Sequence, residues 1–180
     1  MQHSLQTPAA WVVRWVPLIR SGARVLDLAC GHGRHARLLA AQGALVTALD
    51  RDEAALATLR DVPGITTLAA DVEAGLWPFA PDSFDAVVVT NYLHRPLFLP
   101  IITALCHGGV LIYETFMSGN ERYGRPSNPE FLLRPGELLD ALGGACQVVA
   151  FEQGLLAGPK PAMVQRVCVL KGAGGVASLP

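Results

Sequence analysis

Five apolar runs, "RVLDLAC", "ALVTALD", "GITTLAAD", "FDAVVVTN" and "GVLIYETF", are separated by stretches with helical spacing. Runs that are apolar throughout, rather than alternating, belong to strands buried on both faces. Strands that alternate with helices make right-handed crossovers and a parallel sheet with helices on both sides. The helical stretches carry their own boundary marks. "GRHARLLAAQG" places Ala36, Leu39 and Ala40 on one face and stops at Gly43. "RDEAALATLRDVPG" has Asp52 and Glu53 in its first turn, Arg60 in its last, and ends at Pro63-Gly64. "PLFLPIITALCHGG" and "PGELLDALGG" start with proline and end with glycine. In the first of these, His107-Gly108-Gly109 is expected to divide a helix from the strand that follows. The pattern then changes. "CQVVAFEQ" and "MVQRVCVLKG" are strands joined by "GLLAGPKPA", which is too short for a helical crossover, so they should pair antiparallel. The expected fold is α/β: one doubly wound sheet of seven strands, mostly parallel, with the last strand inserted antiparallel. One domain is expected over residues 1–171, opening with a helical segment at 1–20, with 172–180 as a disordered Gly-rich tail.

The chain has 180 residues, 51% of them hydrophobic and 16% charged, with a net charge of −1. It lacks the overall basic footprint of a nucleic-acid binder. Cys30, Cys106, Cys146 and Cys168 form no CxxC pair and sit in or beside apolar runs, which suits reduced thiols in the cytoplasm. His32 and His35 come nearest to metal-ligand spacing, but no cysteine cluster joins them, and no metal is expected. No apolar stretch reaches the ~18 uninterrupted residues of a membrane span. The start, "MQHSLQTPAAWVVRW", lacks the features of a signal peptide. A soluble, cytoplasmic protein is expected.

In a doubly wound, Rossmann-like sheet, ligands bind past the carboxyl ends of the strands, where strand order reverses. After the first strand the chain reads Ala29-Cys30-Gly31-His32-Gly33, and a helix follows. Glycines allow a sharp bend and close approach of a ligand, and the helix start offers free N–H groups. Gly31-x-Gly33-x-x-Ala36 formally matches a dinucleotide fingerprint. Asp27, inside the strand, argues against one, because a carboxylate would repel a pyrophosphate over this turn. It would attract a cationic guest, by roughly 4 kcal/mol at ~4 Å and an effective dielectric of ~20 before desolvation. Asp27 is therefore expected to face the ligand's positive charge.

With Asp27, Ala29, Gly31 and Gly33 at the places of an acidic residue and three glycines (D-x-G-x-G-x-G), the sequence resembles the class I S-adenosylmethionine-dependent methyltransferases. Ala29 departs from the pattern at the first glycine. The resemblance implies S-adenosylmethionine as cofactor and two further acids at strand ends. Asp50, with Arg51 beside it, would accept hydrogen bonds from both ribose hydroxyls. Asp50 could instead cap the following helix, although Asp52 fills that place better. Asp71 would stand near the adenine amino group with Val72 against the ring, and it could also be an ordinary strand-end turn residue.

"TNYLHRPLF" follows the fourth strand, where the family places the transferred methyl group. Asn91 and Tyr92 are candidates for contacts to the methionine part. His94 is a candidate general base or, equally, a capping histidine. Arg95, before the next helix, and Glu114, Arg122, Arg125 and Arg134, in the long segment "YETFMSGNERYGRPSNPEFLLRPGEL", are candidates for acceptor contacts. Local Arg–Glu pairing would account for them as well. Trp11 and Trp15 are expected to be core packing, with Arg14 near them. These stretches together look like the small bacterial methyltransferases of the tellurite-resistance type. The implied activity is methyl transfer to a small molecule. The alternatives are an RNA or protein acceptor, or a non-catalytic module that binds the cofactor.

Overall fold

The structure is a computed structural model that describes residues 7–158, 160–172, 174 and 179. Its sheet has seven strands: β1 (Arg24–Leu28), β2 (Leu45–Asp50), β3 (Ile65–Ala69), β4 (Phe84–Thr90), β5 (Leu105–Phe116), β6 (Cys146–Leu156) and β7 (Ala162–Lys171). The helices are α1 (Ala10–Trp15), α2 (Arg34–Ala41), α3 (Glu53–Ala57), α4 (Phe98–Ala104) and α5 (Glu137–Leu142). Strand order is β3-β2-β1-β4-β5-β7-β6. β1 to β5 pair in parallel, and β7 runs antiparallel to both β5 and β6. The order reverses between β1 and β4, which sets the switch point at the turn after β1.

Alternate residues of each strand supply two apolar layers. Leu26, Val87, Val89 and Leu111 pack with Ile101 of α4 and Leu138 of α5. Val25, Val46, Val88 and Ile112 pack on the other face with Trp11, Trp15 and Leu39. The two tryptophans are the largest fully buried side chains. Their rings meet edge to face at 5.6 Å, and Trp11 Nε1 donates to the Val167 carbonyl at 3.2 Å. The packing role expected for this pair is what the structure shows.

One boundary differs from expectation. α4 ends at Ala104, and β5 begins at Leu105, before the two glycines. Pairing runs from Phe84↔Leu105 to Ala86↔Val110 with a register shift between them. Gly108 has φ 75°, and a Cβ on Gly109 would come within 2.8 Å of the Cys106 carbonyl oxygen. The glycines make a bulge inside a strand rather than a helix stop.

Of the tail 172–180, Gly172, Gly174 and Leu179 are described, and Gly172 bridges to Cys146. The rest of the tail lies outside the described residues. Among the described residues, no helix is long and apolar enough to cross a membrane, and no group of three or more His, Cys, Asp or Glu could hold a metal ion.

Candidate functional site

The turn after β1 takes a left-handed backbone at every second residue: Ala29 (φ 55°), Gly31 (φ 53°) and Gly33 (φ 72°). Ala29 thus occupies a conformation that costs an L side chain roughly 1–2 kcal/mol. The position wants glycine for its backbone, and not merely a small residue. The two glycines have different reasons. A Cβ at Gly33 would reach 2.5 Å from Leu59 Cδ1, so packing requires this glycine. A Cβ at Gly31 would meet nothing within 4 Å, so this one opens onto free space.

Asp50 ties the turn to the next strand. Its Oδ2 accepts from Gly31 N–H at 2.7 Å and its Oδ1 from Asp52 N–H at 2.9 Å. Capping of α3 falls to Asp52, whose Oδ1 accepts from the N–H groups of Ala54 and Ala55 at 3.0 Å each. Asp71 accepts from Glu73 N–H at 2.9 Å and organises its own turn.

The expectation for Asp27 needs correction. The side chain is 1% exposed, and its Oδ2 accepts from Ala36 N–H at 2.8 Å. It fastens α2 onto β1 and does not line open space. β1 is buried on both faces, so the side chain at this register lies under the helix. Burial pushes its pKa up to about 7, against the pull of the Ala36 N–H and of Arg34. The folded state therefore holds this proton more tightly than the unfolded chain. The resulting stability is full below the ordinary aspartate range and is lost as pH rises through about 7. Asp27→Asn is expected to stabilise the ligand-free protein at pH 8 by about 2 kcal/mol and to flatten the change between pH 5 and pH 8. Urea denaturation at the two pH values checks this.

A cleft of about 240 Å³ opens at the carboxyl ends of β1 to β4, lined by Ala29, Leu49, Asp50, Arg51, Ala70, Asp71, Val72, Glu73 and Tyr92. Six residues singled out from the sequence meet here: Ala29, Asp50, Arg51, Asp71, Val72 and Tyr92. Gly31, Gly33, Asn91 and His94 are not in its wall. Glu73 was missed, although it stands two residues beyond Asp71 in the same acidic turn. The Tyr92 hydroxyl is buried with no partner at hydrogen-bond geometry. Burial first, and then the charge of Glu73, push its pKa upward. Tyr92 therefore belongs to the cleft shared with Asp50 and Asp71. Three carboxylates against one guanidinium disfavour a pyrophosphate. They suit a ligand rich in neutral donors, and the Val72 side chain and the Tyr92 ring suit a flat polar ring. These residues fit the nucleoside part of S-adenosylmethionine.

Several proposed acceptor contacts are occupied by the protein itself. Arg95 pairs with both oxygens of buried Glu137, at 2.6 and 3.0 Å. It also donates to the carbonyls of Glu130 and Leu132. Arg134 donates to the same carboxylate through its backbone N–H at 2.8 Å, with its Nε at 3.4 Å. Glu114 is buried in a cross-strand row with Arg166 (3.2 Å), and Arg166 Nε in turn pairs with Glu152 at 2.9 Å. These charges hold the segment after β5 and the final hairpin in place, and are not free for a ligand. Arg14 pairs with Glu152 at 3.0 Å. Arg122 and Arg125 are exposed. Asn91 is exposed at φ 55°, with its N–H on the Glu114 carbonyl. His94 Nδ1 stands 4.0 Å from Glu73 Oε2. His35 is buried, with Nε2 accepting from Ala9 N–H at 3.0 Å, and burial takes its pKa down to about 3.

Residues 25–106 match a family model described as a methyltransferase domain. TehB from Haemophilus influenzae shares the fold at a TM-score of 0.77 and 19% identity, covering 92% of this chain and 63% of the TehB chain. This chain thus spans less than two thirds of that protein. An S-adenosylmethionine-dependent methyltransferase from Mesorhizobium loti aligns at a TM-score of 0.70 and 21% identity, covering 91% of this chain and 99% of that one. A TehB-like methyltransferase from Corynebacterium glutamicum aligns at 0.66 and 18% identity, over 90% and 87% of the two chains. No curated protein matches. The chain is thus similar to a methyltransferase domain over residues 25–106. Its fold is of the TehB-like type.

Proposed function

We propose that this chain transfers a methyl group from S-adenosylmethionine to a small-molecule acceptor. The observation that carries the reading is the single cleft on which Asp50, Asp71, Val72 and Tyr92 converge. Asp50 accepts the ribose hydroxyls with the lone pairs left by Gly31 and Asp52. Asp71 faces the adenine amino group, Val72 covers the ring, and the Tyr92 hydroxyl stands at the same wall beside Glu73. The cofactor supplies an electrophilic methyl on a sulfonium, open to in-line displacement. The residues around the cleft contribute positioning and exclusion of water, and we assign no general base among them. The absence of net positive charge and the exposed Arg122 and Arg125 favour a small polar or anionic acceptor over RNA. Four free cysteines favour a reducing compartment, the cytoplasm.

The test is transfer of labelled methyl from S-adenosylmethionine to fractionated small metabolites, RNA and protein. Label is expected in the small-molecule fraction. Label confined to RNA or protein reassigns the acceptor, and tight cofactor binding without transfer to any fraction rejects the enzymatic reading.

A further inference from the structure

β3 and β6 are the edge strands of the sheet, and they are built differently. β6 is interrupted by a register shift between Val148 and Ala150, carries Glu152, and holds Gly154 at φ 140°. A bulge, a charge and a bent backbone blunt an edge against other strands. β3 has none of these. It reads Ile65-Thr66-Thr67-Leu68-Ala69, with no charge, proline, glycine or register shift. Val46 N–H donates to the Gly64 carbonyl, and Ala70 N–H to the Asp50 carbonyl, which fixes the side of the strand that faces β2. Residues along a strand bond alternately to its two sides. Thr66 and Leu68 therefore serve β2, and Thr67 and Ala69 turn both N–H and C=O outward. Ile65 turns its C=O outward as well, while its N–H donates to the Val62 carbonyl at 3.2 Å.

We infer that β3 pairs antiparallel with β3 of a second copy of this chain, about a two-fold axis at Thr67. Such a self-complementary contact sets Thr67 opposite Thr67 and Ile65 opposite Ala69. The outward groups then match. The two Thr67 residues exchange N–H to C=O bonds, and each Ala69 N–H meets the Ile65 C=O of the other copy, while the Ala69 C=O stays with water at the end of the ladder. Threonines facing each other are a favourable cross-strand pair, and an uncharged strand opposes no like charges across the axis. The start of one strand also comes beside the end of the other. Arg60 and Asp61, exposed before β3, thereby approach Asp71 and Glu73, exposed after it. The first end is neutral on balance and offers the Arg60 guanidinium to the acidic lip of the other copy's cleft. That complementarity favours a second copy over an unrelated strand.

The experiment is sedimentation velocity over micromolar to submillimolar protein, because a contact between edge strands is small and its affinity modest. Wild type should pass reversibly from monomer to dimer. The Thr67 and Ala69 amides should gain protection from hydrogen exchange as the dimer fills. Thr67→Pro removes an N–H that the β2 ladder does not use, so the pairing is lost and the fold kept. Ala69→Lys puts a charge on an exposed position of the edge and should also be monomeric at every concentration. Circular dichroism checks that both variants fold, and Ala69→Lys decides alone if Thr67→Pro does not. A wild type that stays monomeric throughout leaves the edge to another protein's strand and overturns the inference. A dimer that persists in folded Ala69→Lys places the interface elsewhere and overturns it too.

Discussion

Asp50→Ala is expected to lower S-adenosylmethionine affinity by at least ~100-fold, the scale of losing hydrogen bonds to a charged acceptor. The carboxylate does two jobs in the proposed site. It shapes the turn by accepting from Gly31 N–H, and it faces the cleft. The variant should therefore also lose about 2 kcal/mol of stability, because the Gly31 and Asp52 N–H groups lose their acceptor. Asp50→Asn helps to separate the two jobs. It keeps one accepting oxygen, but turns an amide NH2 toward one of two backbone donors. Calorimetry and urea denaturation on the same preparations measure both effects. An affinity within about threefold of wild type in a folded Asp50→Ala protein would remove Asp50 from the cofactor site.

Arg95→Ala should cost about 3 kcal/mol, the scale of breaking a buried ion pair by removing one partner. Arg95 joins the segment after β4 to the segment between β5 and α5, and its removal leaves buried Glu137 with Arg134 alone. Burial by itself would raise Glu137, but the hydrogen bonds from Arg95 and from Arg134 N–H outweigh it and hold the carboxyl below its ordinary value of 4.5. A depressed folded-state pKa contributes stability above the ordinary value, and that stability is lost as pH falls through the folded one. The gap between wild type and variant should accordingly be widest near neutral pH and narrow on acidification below the ordinary carboxylate value. Denaturation curves at pH 7 and pH 3.5 decide the matter, and a gap that widens on acidification contradicts the assignment.

These two residues also mark where the sequence could and could not be read. Asp50, Asp71 and Val72 close or follow runs whose apolar continuity fixes them at strand ends, so their meeting in one cleft is a consequence of parallel strands ending level. Asp52 as helix cap and the Trp11/Trp15 pair were equally local matters, settled by neighbours in the chain. Arg95 was not legible, because its partner Glu137 lies 42 residues away. A charge in a loop reads the same whether it waits for a ligand or already holds a carboxylate. Glu114 failed for a similar reason, its Arg166 being 52 residues distant. Asp27 was misread through the face of its strand. Its place before the turn was clear, but its hydrogen bond to Ala36 depends on how α2 settles on β1. The glycines at 108 and 109 carried a true signal of unusual backbone that fits a bulge as well as a helix end.

The insertion of β7 between β5 and β6 sets an order on assembly. β6 precedes β7 in the chain, yet touches the sheet only through it. During synthesis, β5 must wait with one side unpaired until residues up to Lys171 have been made, and β6 has no seat until then. Such late, distant closure slows folding and leaves an apolar strand open to other chains in the interval. A nascent chain stalled before β7 would therefore be a sticky intermediate and a natural client for chaperones, however well its first five strands have already docked.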